Sequence, residues 1–157
     1  MNLALTIDAD ELNRAFSRAP VLVTAELQGW VTRTTFRTER EAKLQLRDSV
    51  SSATSGRTLN SIRGTIGMLK GHVEAHTDYA KYTITGRRPG KMPPFGEDSD
   101  IAAWSRRMGI DPFLVARAIG RKGTKGIPYM DRAHKAVKSE VDRDSSDVLD
   151  KIIRGLL

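Results

Sequence analysis

The sequence predicts an α+β fold: a small antiparallel β-sheet of three to four strands, packed by N-terminal helices and a long C-terminal helix. Three observations carry this expectation. Apolar residues follow helical spacing up to Asp48, alternate with period two between Ile62 and Thr85, and return to helical spacing from Ser99 onward. A single domain over residues 1–157 is expected, because domains commonly run to ~100–200 residues.

Asp8 to Phe16 reads as a first short helix, with Thr6 or Asp8 as its cap and Leu12, Ala15 and Phe16 on one face. Pro20 suits the first turn of a second helix. Val23, Leu27, Trp30 and Val31 follow in helical register, and the pattern continues less regularly through Ala42, Leu44 and Leu46. Gly29 and the run Thr32 to Thr35 weaken the middle and predict a kink there. Ser49 to Gly56 is a small-residue polar stretch that reads as a mobile loop.

Three strands follow. Ile62, Gly64, Ile66 and Met68 alternate with polar or small neighbours, a turn is expected at Lys70–Gly71, Val73, Ala75 and Thr77 alternate next, and then Ala80, Tyr82 and Ile84. Residues 87–97, with three prolines, read as an exposed, mobile excursion whose composition cannot continue a strand or helix. Ser99 caps a short helix with Ile101 and Trp104 inward. Asp111 opens another, with Leu114, Val115, Ala118 and Ile119 apolar and Gly120 and Gly123 ending it. Pro128 begins the last helix, whose stripe is Met130, Ala133, Val137, Val141, Val148 and Ile152.

Composition excludes several classes. The absence of cysteine removes disulfide scaffolds, thiol nucleophiles and thiolate metal sites. The longest uncharged stretch is Ser49 to Gly56, far short of the ~20 apolar residues of a membrane span, so no membrane partner is expected. The start of the chain shows neither the basic residues nor the apolar run of a signal peptide.

Charge is unevenly placed. Residues 49–128 carry 13 basic and 6 acidic residues, a net +7 that equals the charge of the whole chain. Such a region favours a polyanion or an acidic protein partner, although a solvated basic face reads the same way. Arg117, Arg121, Lys122 and Lys125 are placed to touch phosphates, or simply to complement a helix end. Few aromatic residues interleave with them, which argues against a single-strand stacking platform.

Catalytic signals are sparse. His72, Glu74 and His76 share one face of a candidate strand, a pattern that suits either a metal or a solvent-facing strand. His134 stands alone on a basic helix and reads as surface. No phosphate-binding loop, nucleophile elbow or zinc-protease motif occurs, and the glycines of GTIGMLKG do not precede a helix as a dinucleotide fingerprint requires. No catalytic residue, metal or cofactor is expected.

Three short elements occur in a fixed order. SGRTLNSI spans Ser55 to Ile62, DYAKYTITG spans Asp78 to Gly86, and, after the Pro/Gly-rich excursion, IPYMDRA spans Ile127 to Ala133. In order and spacing this resembles the tail-completion and head–tail joining (neck) family of lambda-like long-tailed bacteriophages and prophages. The resemblance covers roughly residues 55–136. The matching positions are Gly56, Leu59, Ser61, Ile62, Tyr79, Ala80, Tyr82, Gly86, Pro128, Tyr129 and Met130. The chain departs from the family pattern at Thr54, at Thr83 to Thr85, where an acidic residue is usual, and at Pro128 to Met130, where Pro-Phe-Leu is usual.

On the matching positions, Gly56 is expected to permit a tight approach into the first strand, and Leu59 and Ile62 to anchor it. Tyr79, Ala80 and Tyr82 are expected to place one ring in the core and one at a surface, and Gly86 to turn the chain into the excursion. Pro128 would start the long helix, with Tyr129 and Met130 packed on the sheet. The resemblance implies a non-enzymatic virion protein of the head–tail junction, present in the host cytoplasm during assembly. It implies a homo-oligomeric ring, a hexamer in preference to a dodecamer, in contact with neck, connector and tail-tube proteins. Arg87, Arg88, Lys91, Arg121, Lys122 and Lys125 are then candidates for contact with a neighbouring subunit, an acidic neck protein or DNA in the lumen. A small basic nucleic-acid-binding protein is the alternative, and an enzyme using the His72, Glu74 and His76 face is a third.

Overall fold

One long helix forms the spine of the molecule. The computed structural model describes residues 10–49 and 56–156, and in it α1 runs unbroken from Asp10 to Ser49. This corrects the expectation of two N-terminal helices, and the candidate caps Thr6 and Asp8 lie outside the described residues. Pro20 sits inside α1 although an interior proline costs about 3 kcal/mol. Packing against the C-terminal helix offsets that cost. α6 (Tyr129–Leu156) lies antiparallel along α1: Arg132 reaches Ser49, Arg37 pairs with both Glu140 and Asp144, and Lys151 pairs with Glu26. Of the threonines expected to weaken α1, Thr32 and Thr35 are absorbed by it, whereas the buried Thr34 hydroxyl has no partner among the described residues. Thr32, Thr35 and Thr38 donate their hydroxyls to the carbonyls of Gln28, Val31 and Thr34, each four residues back.

Between these helices the chain makes a five-residue helix, α2 (Arg57–Ser61), and then a hairpin of β1 (Ile62–Gly67) and β2 (Lys70–Ala75). Gly56 is not a tight approach to a strand: it is the N-cap of α2 with an ordinary helical φ of −59°, and its carbonyl accepts from Asn60. The hairpin is antiparallel, with Ile62 opposite Ala75 and Gly67 opposite Lys70, so its turn is Met68–Leu69 and not Lys70–Gly71. Leu69 takes φ +52°, a left-handed conformation that the Gln28 carboxamide holds by accepting from Leu69 N–H at 2.8 Å and donating to the Gly67 carbonyl at 3.0 Å.

The other end of the hairpin is fixed by Glu39, whose carboxylate accepts from Gly64 N–H at 2.7 Å and from Lys43 Nζ. The Lys43 hydrogen bond, opposed by partial burial and aided by Gly64 N–H, holds the Glu39 carboxyl below its usual value of 4.5. A lowered folded-state pKa stabilises the fold above 4.5, and that contribution is lost as pH falls through the folded value. Glu39→Ala should therefore cost about 1–3 kcal/mol at neutral pH. In urea melts it should also flatten the decline in stability below about pH 4.5 that the wild type shows.

The expected third strand is a helix. α3 (Ala80–Thr85) caps on Tyr79, with Thr83 N–H donating to the Tyr79 carbonyl and the Thr85 hydroxyl to the Lys81 carbonyl. A period-two pattern over six residues does not exclude one and a half helical turns. The single sheet is accordingly replaced by two two-stranded ladders, β1–β2 and β3 (Gly86–Arg87) with β4 (Thr124–Lys125). The fold is α+β as expected, with less sheet than expected.

α4 (Asp100–Met108) and α5 (Pro112–Lys122) begin as read. The Ser99 hydroxyl accepts from Ala102 N–H, and Asp111 accepts from Phe113 and Leu114 N–H. Their packed faces differ from the expectation. Ala102, Ser105, Ala116 and Gly120 are buried, Ile101 and Trp104 are half-buried, and Leu114 and Ala118 are exposed. Gly120 lies within α5, and Gly123 alone ends it.

The core lies where the C-terminal half of α1, the root of the hairpin and the first turns of α6 meet. Ala42, Leu46, Ile62, Tyr129 and Ala133 are fully enclosed, with Leu59, Val73, Ala75, Ile84, Ile127 and Met130 around them. Along α6 the stripe continues through Val137, Val148 and Ile152, as its spacing predicts.

Candidate functional site

Two basic segments nominated separately in the sequence form one site. β3 pairs with β4 so that Gly86 faces Lys125 and Arg87 faces Thr124. Just beyond, Gly90 N–H donates to the Gly120 carbonyl at 2.8 Å. This clasp places Arg87, Arg88 and Lys91 beside Arg121, Lys122 and Lys125, across a separation of thirty residues or more in sequence.

Glycine makes the approach close enough. A Cβ on Gly123 would strike the Arg87 carbonyl, one on Gly126 the Ile84 carbonyl, and one on Gly86 the Thr124 carbonyl. Gly86 and Gly123 also take φ of +75° and +71°, which side chains rarely tolerate. Gly86 thus turns the chain as expected. The spacing of glycines at 120, 123 and 126 was the sequence signal for this contact, and reading Gly120 and Gly123 solely as helix-ending residues missed it.

The electrostatics of the clasp are one-sided. Residues 79–96 and 112–130 contain eight lysines and arginines and no acid. Arg87 is internal to the clasp: its guanidinium donates to the Lys91 carbonyl and lies 5.8 Å from the Tyr82 ring centroid, within cation–π range. Arg88, Lys91, Arg117, Arg121, Lys122 and Lys125 are exposed and make no ion pair among the described residues. Positive potential therefore accumulates on this surface.

The clasp carries an apolar margin that sequence reasoning did not nominate. Phe95 and Phe113 meet edge to face at 5.6 Å between centroids, and both keep more than a third of their surface exposed. Leu114, Met108, Ile110 and Met92 are exposed on the same α4–α5 lobe and the loop leading to it. The excursion is tied at several points, by Arg87 to Lys91, by Gly90 to Gly120, and by the Arg106 guanidinium to the Glu97 carbonyl.

The remaining nominated residues are placed as follows. Leu59 borders the core and Ile62 is in it. The Ser61 hydroxyl donates to the Thr58 carbonyl within α2, and the Ser61 carbonyl accepts from His76 N–H. Ala80 is buried. The expected division of the two tyrosines between core and surface is corrected: Tyr82 is exposed, and Tyr79 is only half-buried, accepting a hydrogen bond from Thr58. The ring in the core is Tyr129, which follows Pro128 at the start of α6, and Met130 packs beside it. His72, Glu74 and His76 are exposed, with His76 Nε2 3.4 Å from Glu74 Oε1. Among the described residues no three histidines or acids are grouped to hold a metal ion, and no helix is long and apolar enough to cross a membrane. An open groove between α1 and α2, lined by Phe36, Glu39, Lys43, Leu44, Leu59 and Asn60, collects no convergent catalytic groups.

No protein-family model, no curated protein and no solved structure matches this chain.

Proposed function

We propose that the chain is a structural component of a tailed-phage virion, a ring-forming protein of the head–tail junction that works by covering surfaces on copies of itself and on neighbouring neck, connector and tail-tube proteins. One observation carries this reading. Among the described residues thirteen large apolar side chains are exposed, whereas only six larger than alanine are buried: Leu46, Ile62, Tyr129, Val137, Val148 and Ile152. Single exposed apolar residues are ordinary. Here, however, six of the thirteen fall within residues 92–114, where Phe95 and Phe113 meet edge to face, and a cluster of exposed apolar side chains favours an interaction site. The order of the three sequence elements supplies the class of assembly, and a hexamer is the expected ring.

The cationic clasp favours a second reading, a small nucleic-acid-binding protein, and the two separate experimentally. Sedimentation velocity across protein concentration, with and without duplex DNA, is the test. The assembly reading expects a large species that forms without DNA, and only weak, salt-sensitive DNA contact. A monomer or dimer that binds duplex DNA tightly at physiological salt would contradict it.

A further inference from the structure

Granting that the chain self-assembles, we propose that the clasp is one half of a head-to-tail contact whose other half is the exposed face of α6 on a second copy, centred on residues 139–150. Three features of the clasp lobe define what it can receive. Its exposed cations have no ion-pair partner among the described residues, its margin is apolar at Phe95, Phe113 and Leu114, and the β3–β4 ladder with the Gly90–Gly120 hydrogen bond joins its two basic segments. A phosphate backbone would satisfy the charge and leave the apolar margin wet. A protein surface that is both acidic and apolar satisfies both.

The chain itself carries such a surface. Residues 139–150 contain one base and five acids, of which Glu140 and Asp144 pair with Arg37 and Asp142 pairs with Lys138. Asp147 and Asp150 are exposed and make no ion pair among the described residues. Leu149 and Ile153 are 57% and 55% exposed, one turn apart, and Asp150 lies one turn before Ile153 on the same side. Asp142, Ser146, Leu149, Asp150 and Ile153 follow helical spacing along one side of α6, away from the buried stripe of Val137, Val148 and Ile152.

A protomer does not satisfy itself. The acidic stretch begins ten residues beyond Tyr129, about 15 Å along α6 from the end nearest the clasp, and no ion pair joins the two surfaces among the described residues. Two different complementary patches on one chain make a heterologous contact, the kind that closes into rings.

The test uses two full-length variants, R88E/R121E/K125E and D142K/D150K, and reads particle mass in solution. Each variant alone should lose self-association by on the order of 100-fold or more, because like charges are then juxtaposed. Mixed in equal amounts they should assemble again, since each contact in an alternating ring then joins opposite charges, and this recovery also shows that both variants fold. Assembly of both variants alone at wild-type strength would overturn this interface and leave the ring reading standing. A wild-type chain that stays monomeric at every concentration would overturn both. Loss of assembly in the clasp variant with no recovery on mixing, together with loss of duplex-DNA binding, would assign the clasp to nucleic acid and overturn the proposal.

Discussion

Tyr129→Ala is expected to cost about 3–5 kcal/mol, enough to unfold much of the population of a marginally stable domain. Tyr129 is fully enclosed, and it is the largest side chain in the cluster where α1, the hairpin and α6 meet. Its removal leaves a cavity bounded by three elements, none of which can collapse inward without disturbing the others. Tyr129→Phe should act in the opposite direction. The hydroxyl is buried with no hydrogen-bond partner among the described residues, so its removal should raise stability by about 1 kcal/mol. The two variants also differ from wild type in alkali. Burial pushes the Tyr129 phenol above its usual 10.0. A raised folded-state pKa gives stability that is present below about pH 10 and is lost as pH rises through the folded value, because the unfolded chain ionises first. Denaturant melts between pH 8 and 12, roughly spanning the tyrosine range, should show that loss in wild type and less of it in Tyr129→Phe. Equal stability of Tyr129→Ala and wild type would place the core elsewhere.

Gly123→Ala and Gly86→Ala should open the clasp. Each substitution meets a backbone carbonyl, which cannot swing aside as a side chain would, and each forces a side chain into positive φ. The strain is about 1–3 kcal/mol from the backbone conformation, with a further ~1–3 kcal/mol from overlap. The enclosed core does not contain these glycines, so the loss should be local. Hydrogen exchange should show the Gly90 amide, now bonded to Gly120, losing protection while α1 and α6 keep theirs. Gly96→Ala is the control: nothing lies within 4 Å of its added Cβ, and it should behave as wild type. If self-association needs the clasp, both clasp variants should lose it and the control should keep it.

Local chemistry was legible in the sequence, and long-range chemistry was not. The caps at Ser99 and Asp111 were readable because an oxygen two or three residues from an unpaired N–H acts regardless of tertiary context. The α6 stripe was readable because 28 residues of helix repeat one signal many times. Ala80, Tyr82 and Ile84 misled because six residues hold too few periods to separate a strand from a short helix. Pro20 misled because its cost is local while the compensation comes from α6, which lies over a hundred residues away in sequence. The candidate site was half legible. Each basic run was visible, but their convergence depends on a two-residue ladder and on glycines whose role appears only when a second strand lies against them. Of the apolar margin, Leu114 was read only as one of the apolar residues of α5, and Phe95 and Phe113 were not singled out, because nothing local says which apolar side chains a fold leaves uncovered.

The proposed closed ring is decided by mass photometry of the purified protein across concentration, with negative-stain imaging of the same samples. The expected result is a particle of about six times the 17.4 kDa chain mass, annular in projection and formed without DNA. A particle of one or two chain masses that grows only when duplex DNA is added would contradict it.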